Sequence, residues 1–210
     1  MPSCGCWRCG LNTVLRAILD WRTVSPEELA CWQSQLDPEK RARVESFRRA
    51  DDRTRSICAD HLARQLLTQA GADGAALRFS YTDRGKPLCP ETDLHFSLSH
   101  SGFFVACAVS SREIGADIEA LRPIRPALAK RVCTPEELRY ISAGGEFDSA
   151  RFLAVWTAKE AYCKYTGEGI AADLRAFAAA DAAGLLPEVC GHPLLHERTE
   201  EYVLSMITAP

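Results

Sequence analysis

The chain has 210 residues, 47% of them hydrophobic and 25% charged, with a formal net charge of −3. That length supports one domain or two small ones with a substantial core, and the composition is that of a soluble globular protein. The near-balanced charge argues against a global field for nucleic acid or a membrane surface. No apolar run reaches the ~20 residues that span a bilayer, and the N-terminus lacks the regions of a signal peptide, so the expected location is the cytoplasm.

Residues 1–12 read as a mobile, cysteine-rich leader. Cys4, Cys6 and Cys9 are either part of a zinc site that lacks an evident spaced fourth ligand or a reducible tail. Of the ten cysteines, Cys107 and Cys163 sit in apolar patterns and read as core. Thr13 to Asp20 reads as a strand. Ser25-Pro26-Glu27-Glu28 and Asp37-Pro38-Glu39-Lys40 are helix starts, with a capping residue, then proline, then acids at the positive end of the helix dipole. Seven basic residues and three acids fall between Lys40 and Arg55. Asp52 to Ala70 continues as an amphipathic helix stopped by Gly71. Leu77 to Tyr81 reads as a short strand, Asp83 to Pro87 as a turn, and Leu94–Leu98 and Phe103–Val109 as strands around Ser99-His100-Ser101-Gly102.

Ile114-Gly115-Ala116-Asp117-Ile118-Glu119 alternates as a half-buried strand, with Gly115, Asp117 and Glu119 on one face. Two readings stand for its acids. They form a solvated edge, or they share a hard cation such as Mg²⁺, since neighbouring carboxylates repel without one. A proline-punctuated stretch, Arg122 to Pro126, follows. Thr134-Pro135-Glu136-Glu137 opens another capped helix, and Asp148 or Ser149 begins a longer one to about Thr166, stopped by Gly167 and Gly169. Asp173–Ala178 and Tyr202–Ile207 read as strands. The Pro-Glu helix start at Pro38 recurs 97 positions on at Pro135, as if an α+β unit were repeated, with a ligand cleft between the halves.

On the helix around Ala154–Lys164, Glu160 and Lys164 are i,i+4 neighbours. They read either as a surface ion pair or as a third metal carboxylate with Lys159 and Lys164 supplying charge for phosphate. Ser99 and His100 are adjacent and point to opposite faces, so they cannot act as a nucleophile–base pair. A phosphate-gripping loop suits them better. No P-loop or dinucleotide glycine fingerprint is present.

Phe96-Ser97-Leu98-Ser99-His100-Ser101-Gly102, then Ile114 to Glu119, then Trp156-Thr157-Ala158-Lys159-Glu160-Ala161-Tyr162-Cys163-Lys164 resembles the 4′-phosphopantetheinyl transferase superfamily, in its longer, surfactin-synthetase-activating (Sfp-type) branch. Gly85-Lys86-Pro87 and Pro38-Glu39-Lys40-Arg41 fall where that branch has similar blocks. The resemblance implies an α+β fold: a monomeric pseudo-dimer of two similar halves, 13–111 (nucleotide-binding contributions) and 112–210 (metal strand and Lys/Glu helix), with the active site between them. It implies transfer of the phosphopantetheine arm of coenzyme A to a serine of an apo acyl or peptidyl carrier protein, as a holo-[acyl-carrier-protein] synthase does, with release of 3′,5′-ADP. By similarity Asp117, Glu119 and Glu160 hold Mg²⁺, with Mn²⁺ as a substitute. Lys164 meets the diphosphate with Lys159 nearby, while Lys40, Arg43, Ser56, Lys86, Ser99 and His100 hold the nucleotide end. Arg43 and Ser56 match by residue type only. The base that takes the serine proton is Glu160 or a metal-held water. Leu121, Ile124 and Leu128, among Arg122, Arg125 and Lys130, are either a carrier-docking patch or core. Two rivals share these residues: a Mg²⁺-dependent nucleotide phosphohydrolase, and a non-catalytic homologue that only binds carrier proteins.

Overall fold

The serine and threonine helix starts read from the sequence are built as capping boxes. Ser25 Oγ accepts from the Glu28 amide at 3.1 Å while the Glu28 carboxylate accepts from the Ser25 amide at 2.9 Å, and Thr134 and Glu137 repeat the arrangement. The structure, a computed structural model, describes residues 3–9, 12–82, 85–168 and 173–210, with side chains from Val14 onward. Asp83, Arg84 and Gly169 of the expected turns, and the side chains of Cys4, Cys6 and Cys9, lie outside what is described.

The chain divides into two units, Met1–Glu113 and Ile114–Pro210. The N-terminal unit contains β1 (Ser3–Cys9), β2 (Asn12–Asp20), α1 (Pro26–Ser34), α2 (Pro38–Ser46), α3 (Ala50–Gln69), β3 (Ser80–Tyr81), β4 (Pro87–Leu88), β5 (His95–Ser101) and β6 (Phe104–Ser110). Its main sheet runs in the order β1-β2-β6-β5, and β3 and β4 form a separate hairpin. The C-terminal unit contains β7 (Ile114–Ala120), α4 (Pro126–Val132), α5 (Pro135–Ile141), α6 (Ser149–Thr166), β8 (Glu188–Val189), β9 (His192–Arg198) and β10 (Tyr202–Thr208), with sheet order β7-β10-β9-β8. Each unit is α+β, as expected.

The two units share a plan. A first strand is followed by three helices and then a hairpin, whose second strand returns antiparallel to the first: β2 with β6, β7 with β10. Asp20 ends its strand opposite Phe104, and Ala120 ends its strand opposite Tyr202. The first helices open at Pro26 and Pro126 and the second at Pro38 and Pro135, so the repeat legible in the sequence is present in the topology. In each unit the long helix covers the sheet. Leu62, Leu66 and Leu67 of α3 pack with Ala17, Leu19, Phe96, Val105 and Cys107. Phe152, Leu153 and Val155 of α6 pack with Ile141 and Val203. Cys107 and Cys163 are buried, and burial pushes the Cys163 thiol up to about 11.

Several expectations are corrected. Ser3–Cys9 of the expected mobile leader is a strand paired along β2; the open edge of β2 offers its backbone groups, and pairing satisfies them. Ser99, His100 and Ser101 lie within β5 and not in a loop; the turn is Gly102-Phe103, and Gly102 supplies the positive φ (57°) that a two-residue hairpin needs. The strand at Leu77–Tyr81 shrinks to Ser80–Tyr81. Asp173–Ala178 is turn, because the Asp173 side chain caps the Arg175 amide at 3.0 Å. The short helix α4 and strands β8 and β9 have no clear period in the sequence. Strand β7 is buried on both faces over Ile114–Ile118, because α6 covers the side expected to be open.

Candidate active site

Gly115 decides the geometry of the C-terminal unit. A Cβ there would stand 2.1 Å from the Ala161 carbonyl oxygen and 2.4 Å from the Tyr165 nitrogen, so α6 rests directly on the backbone of β7. Asp117 and Glu119 follow on the same face at strand spacing, and α6 brings Glu160 and Lys164, one turn apart, to meet them. The Lys164 ammonium donates to Asp117 Oδ1 at 2.7 Å and to the Ala116 carbonyl at 3.1 Å. Arg122 donates to Glu119 Oε2 at 2.6 Å. Glu160 is 6% exposed and its Oε1 is buried without a hydrogen-bond partner. Burial, and then the charge of Asp117, raise its pKa above the ordinary carboxylate value. Lys164 opposes that rise and Glu119 adds to it.

Among the described residues no three His, Cys, Asp or Glu side chains form a ready-made metal cluster. Asp117 is instead turned to Lys164 and Glu119 to Arg122. Even so, the donor set fits a hard divalent cation. Three carboxylates act on one another electrostatically, one oxygen of Glu160 is buried with nothing to accept from, and all the ligands are oxygens.

Lys159 needs correction. It points away from this site, is completely buried, and pairs with the equally buried Glu137 at 2.8 Å. It also donates to the carbonyls of Leu174, Phe177 (2.8 Å) and Val132 (3.3 Å). One residue along a helix is a rotation of about 100°, so Lys159 and Glu160 cannot share a face. Lys159 ties α6 to α5 and the segment after it, and is not placed to meet a diphosphate.

Beside Asp117 the sheet carries polar groups that the sequence did not announce. Ser205 of β10 is its cross-strand partner, and Ser205 Oγ lies 2.8 Å from Thr157 Oγ1 and 3.0 Å from His196 Nδ1. Burial depresses the His196 pKa to about 4. Only the strand register, invisible in a linear pattern, aligns these residues.

In the N-terminal unit α2 presents Lys40 and Arg43 to one ring. The Lys40 ammonium donates to the Tyr81 hydroxyl at 3.1 Å, and the Arg43 guanidinium lies over the Tyr81 ring, 4.6 Å from its centroid. Lys86 ends the β3–β4 turn, where its amide donates to Thr82 Oγ1 at 3.0 Å and its ammonium pairs with Glu113, which also meets His95 at 3.1 Å. A cavity of about 520 Å³ beside this turn is lined by Lys86, Pro87, Cys89, His95, Phe96 and Glu113. Ser99 is buried and His100 exposed on alternate faces of β5, and Ser56 is half-buried on α3. Lys40 and Arg43 are therefore brought together, whereas Lys86 shares only the hairpin that carries Tyr81 and has its ammonium on Glu113. Ser99 and His100 point to opposite sides. Leu121 and Ile124 pack against the C-terminal core, leaving Leu128 exposed (38%).

Acids and a lysine thus meet on a helix–strand seam of the C-terminal unit, and a separate corner of the N-terminal unit carries Lys40 and Arg43. A family model for the 4′-phosphopantetheinyl transferase superfamily matches residues 113–206, and one for the N-terminal region of 4′-phosphopantetheinyl transferase matches residues 20–112. The chain is 35% identical over 159 residues to 4′-phosphopantetheinyl transferase Sfp of Bacillus subtilis (strain 168), covering 74% of this chain and 71% of the relative. It is 37% identical over 174 residues to 4′-phosphopantetheinyl transferase HetI of Nostoc sp., covering 79% and 69%. The chain belongs to the 4′-phosphopantetheinyl transferase superfamily. Among the described residues no helix is long and apolar enough to cross a membrane.

Proposed function

We propose that this chain transfers the 4′-phosphopantetheine arm of coenzyme A to a serine of an apo acyl or peptidyl carrier protein, as a holo-[acyl-carrier-protein] synthase does. The observation that carries this reading is the gathering of Asp117, Glu119 and Glu160 with Lys164 on the seam of β7 and α6, in a chain of this family. The serine oxygen forms a bond to the β-phosphorus of coenzyme A. The bond from that phosphorus to the bridging oxygen breaks, and 3′,5′-ADP departs with the electron pair.

Asp117, Glu119 and Glu160 would hold Mg²⁺, or Mn²⁺ in its place; bound there, the cation offsets the charge of the diphosphate. Lys164 shares its proton donors between Asp117 and an incoming phosphate oxygen. The serine proton goes to Glu160 or to a water held at the same acids. The nucleotide end falls to residues 13–111, through Lys40, Arg43 and Lys86, with Ser56, Ser99 and His100 as further contacts. The acids and Lys164 belong to residues 112–210. Carrier docking is proposed near Leu121, Ile124 and Leu128, of which Leu128 is exposed, with Arg125 and Lys130, whose charges suit an acidic helical partner. The family does not favour a phosphohydrolase, and a chain that keeps all three acids and Lys164 does not look like a non-catalytic homologue.

The test is mass spectrometry of apo carrier proteins incubated with coenzyme A and Mg²⁺ or Mn²⁺. The expected gain is one phosphopantetheine, absent in excess EDTA and in a folded Asp117→Ala variant. Undiminished transfer by that variant would remove the carboxylates from the mechanism, and hydrolysis without an acceptor would favour the phosphohydrolase.

A further inference from the structure

We propose that Tyr81 is a positioning residue that holds Lys40 and Arg43 together as a phosphate grip and sharpens the preference for a nucleotide end carrying an additional phosphate. This rests on the reading above that Lys40 and Arg43 meet the nucleotide end of coenzyme A. The two cations are three residues apart on α2 and share a face, so they repel one another. Lys40 is only 8% exposed, and a buried ammonium needs an acceptor. Tyr81 supplies one in its hydroxyl, while its ring attracts both cations, with Lys40 at 5.6 Å and Arg43 at 4.6 Å from the centroid.

The choice of a neutral ring matters. A carboxylate in that place would hold the cations equally well but would cancel the charge that draws phosphate. The neighbouring Lys86 shows that alternative, since Glu113 pairs with it directly. Tyr81 gathers positive charge without adding a negative one, and the nearby Asp60, which also feels Lys40, is bound by Arg64. Its own place is fixed by the hairpin: Tyr81 is the β3 partner of Pro87, and the adjacent Thr82 amide donates to the Lys86 carbonyl at 2.9 Å. One side chain thus links the α2 cations to the turn bearing Lys86. In the sequence Tyr81 is an ordinary strand aromatic; only the hairpin register brings it over α2.

The experiment measures KM for coenzyme A and for 3′-dephospho-coenzyme A, with a saturating apo carrier protein, in the full chain and in Tyr81→Phe, Tyr81→Leu and Lys40→Met. Tyr81→Leu should raise KM for coenzyme A about tenfold and for the dephospho form at most about twofold. Tyr81→Phe keeps the ring and loses the hydroxyl, and should give a selective rise of about threefold. A structural role alone would move both ligands alike, and equal changes, or none, in Tyr81→Phe overturn the proposal while a selective Lys40→Met leaves the nucleotide reading standing. If Tyr81→Leu does not fold, Tyr81→Phe decides. If Lys40→Met fails to distinguish the ligands, the nucleotide reading itself falls, and the role of Tyr81 with it.

Discussion

The long helix of each unit carries an acid and a base four residues apart, Asp60/Arg64 on α3 and Glu160/Lys164 on α6, and the two pairs end differently. Arg64 binds Asp60 at 2.7 Å, Asp37 at 2.8 Å and the Leu77 carbonyl at 3.0 Å, and so ties α3 to the start of α2 and to the segment beyond it. Lys164 leaves its helix partner for Asp117. Burial raises the pKa of both helix acids. For Asp60 the next influence is the hydrogen bond from Arg64, which lowers it; for Glu160 it is another acid, Asp117, which raises it further. The same spacing makes a tie when a forked guanidinium can reach several acceptors, and an electrostatically loaded site when acids outnumber the cation beside them.

The sharpest way to break this comparison is Glu160→Gln. Transfer should fall by about 10²–10³-fold, the scale of removing one group that stabilises developing charge. In EDTA the same variant should be at least as stable as the parent. Because the folded pKa of Glu160 lies above its ordinary value, this group's contribution to the stability of the metal-free parent is fully present at low pH. That contribution is lost as pH rises past about 4.5 and through the folded pKa, a loss that the variant, compared with the parent at each pH, does not share. Unfolding curves against pH check this, and a destabilised variant would make Glu160 a structural tie like Asp60. Arg64→Met should show the reverse profile. Buried Asp60 loses its partner and Asp37 is left with Arg78 at 3.8 Å, stability falls by about 3 kcal/mol in urea unfolding, and the folded fraction retains transfer. The smallest effect is expected at Glu113→Gln. Releasing Lys86 from a partly exposed ion pair should lower KM for coenzyme A about twofold, and an unchanged KM would place Lys86 away from the nucleotide.

Much of this was legible in the sequence, for identifiable reasons. Ser25, Thr134 and Asp148 announce helix starts because capping is local chemistry, and the Asp117/Glu119 face follows from the period of a strand. The i,i+4 spacing placed Glu160 with Lys164. It did not warn that Lys159 would be claimed by Glu137, because that partner lies 22 residues away on another helix. Tyr81, Ser205 and His196 escaped for the same reason: their roles depend on cross-strand register and helix docking, which no window of consecutive residues contains. Asp173–Ala178 has strand-like residues, yet an aspartate able to bond its own downstream amide outcompetes a ladder with no neighbour to join.

Gly115 carries a consequence for the inheritance of the site. Where α6 touches β7, peptide meets peptide, so the gap between helix and strand is a hard stop and not an average over side-chain volumes. Drift in the surrounding apolar residues spends stability before it moves Glu160 relative to Asp117. The reverse also holds: once position 115 acquires a side chain the helix must lift, and no repacking elsewhere can let it settle again. A lineage can therefore rewrite most of this core and keep the acids aligned, provided that one position stays bare.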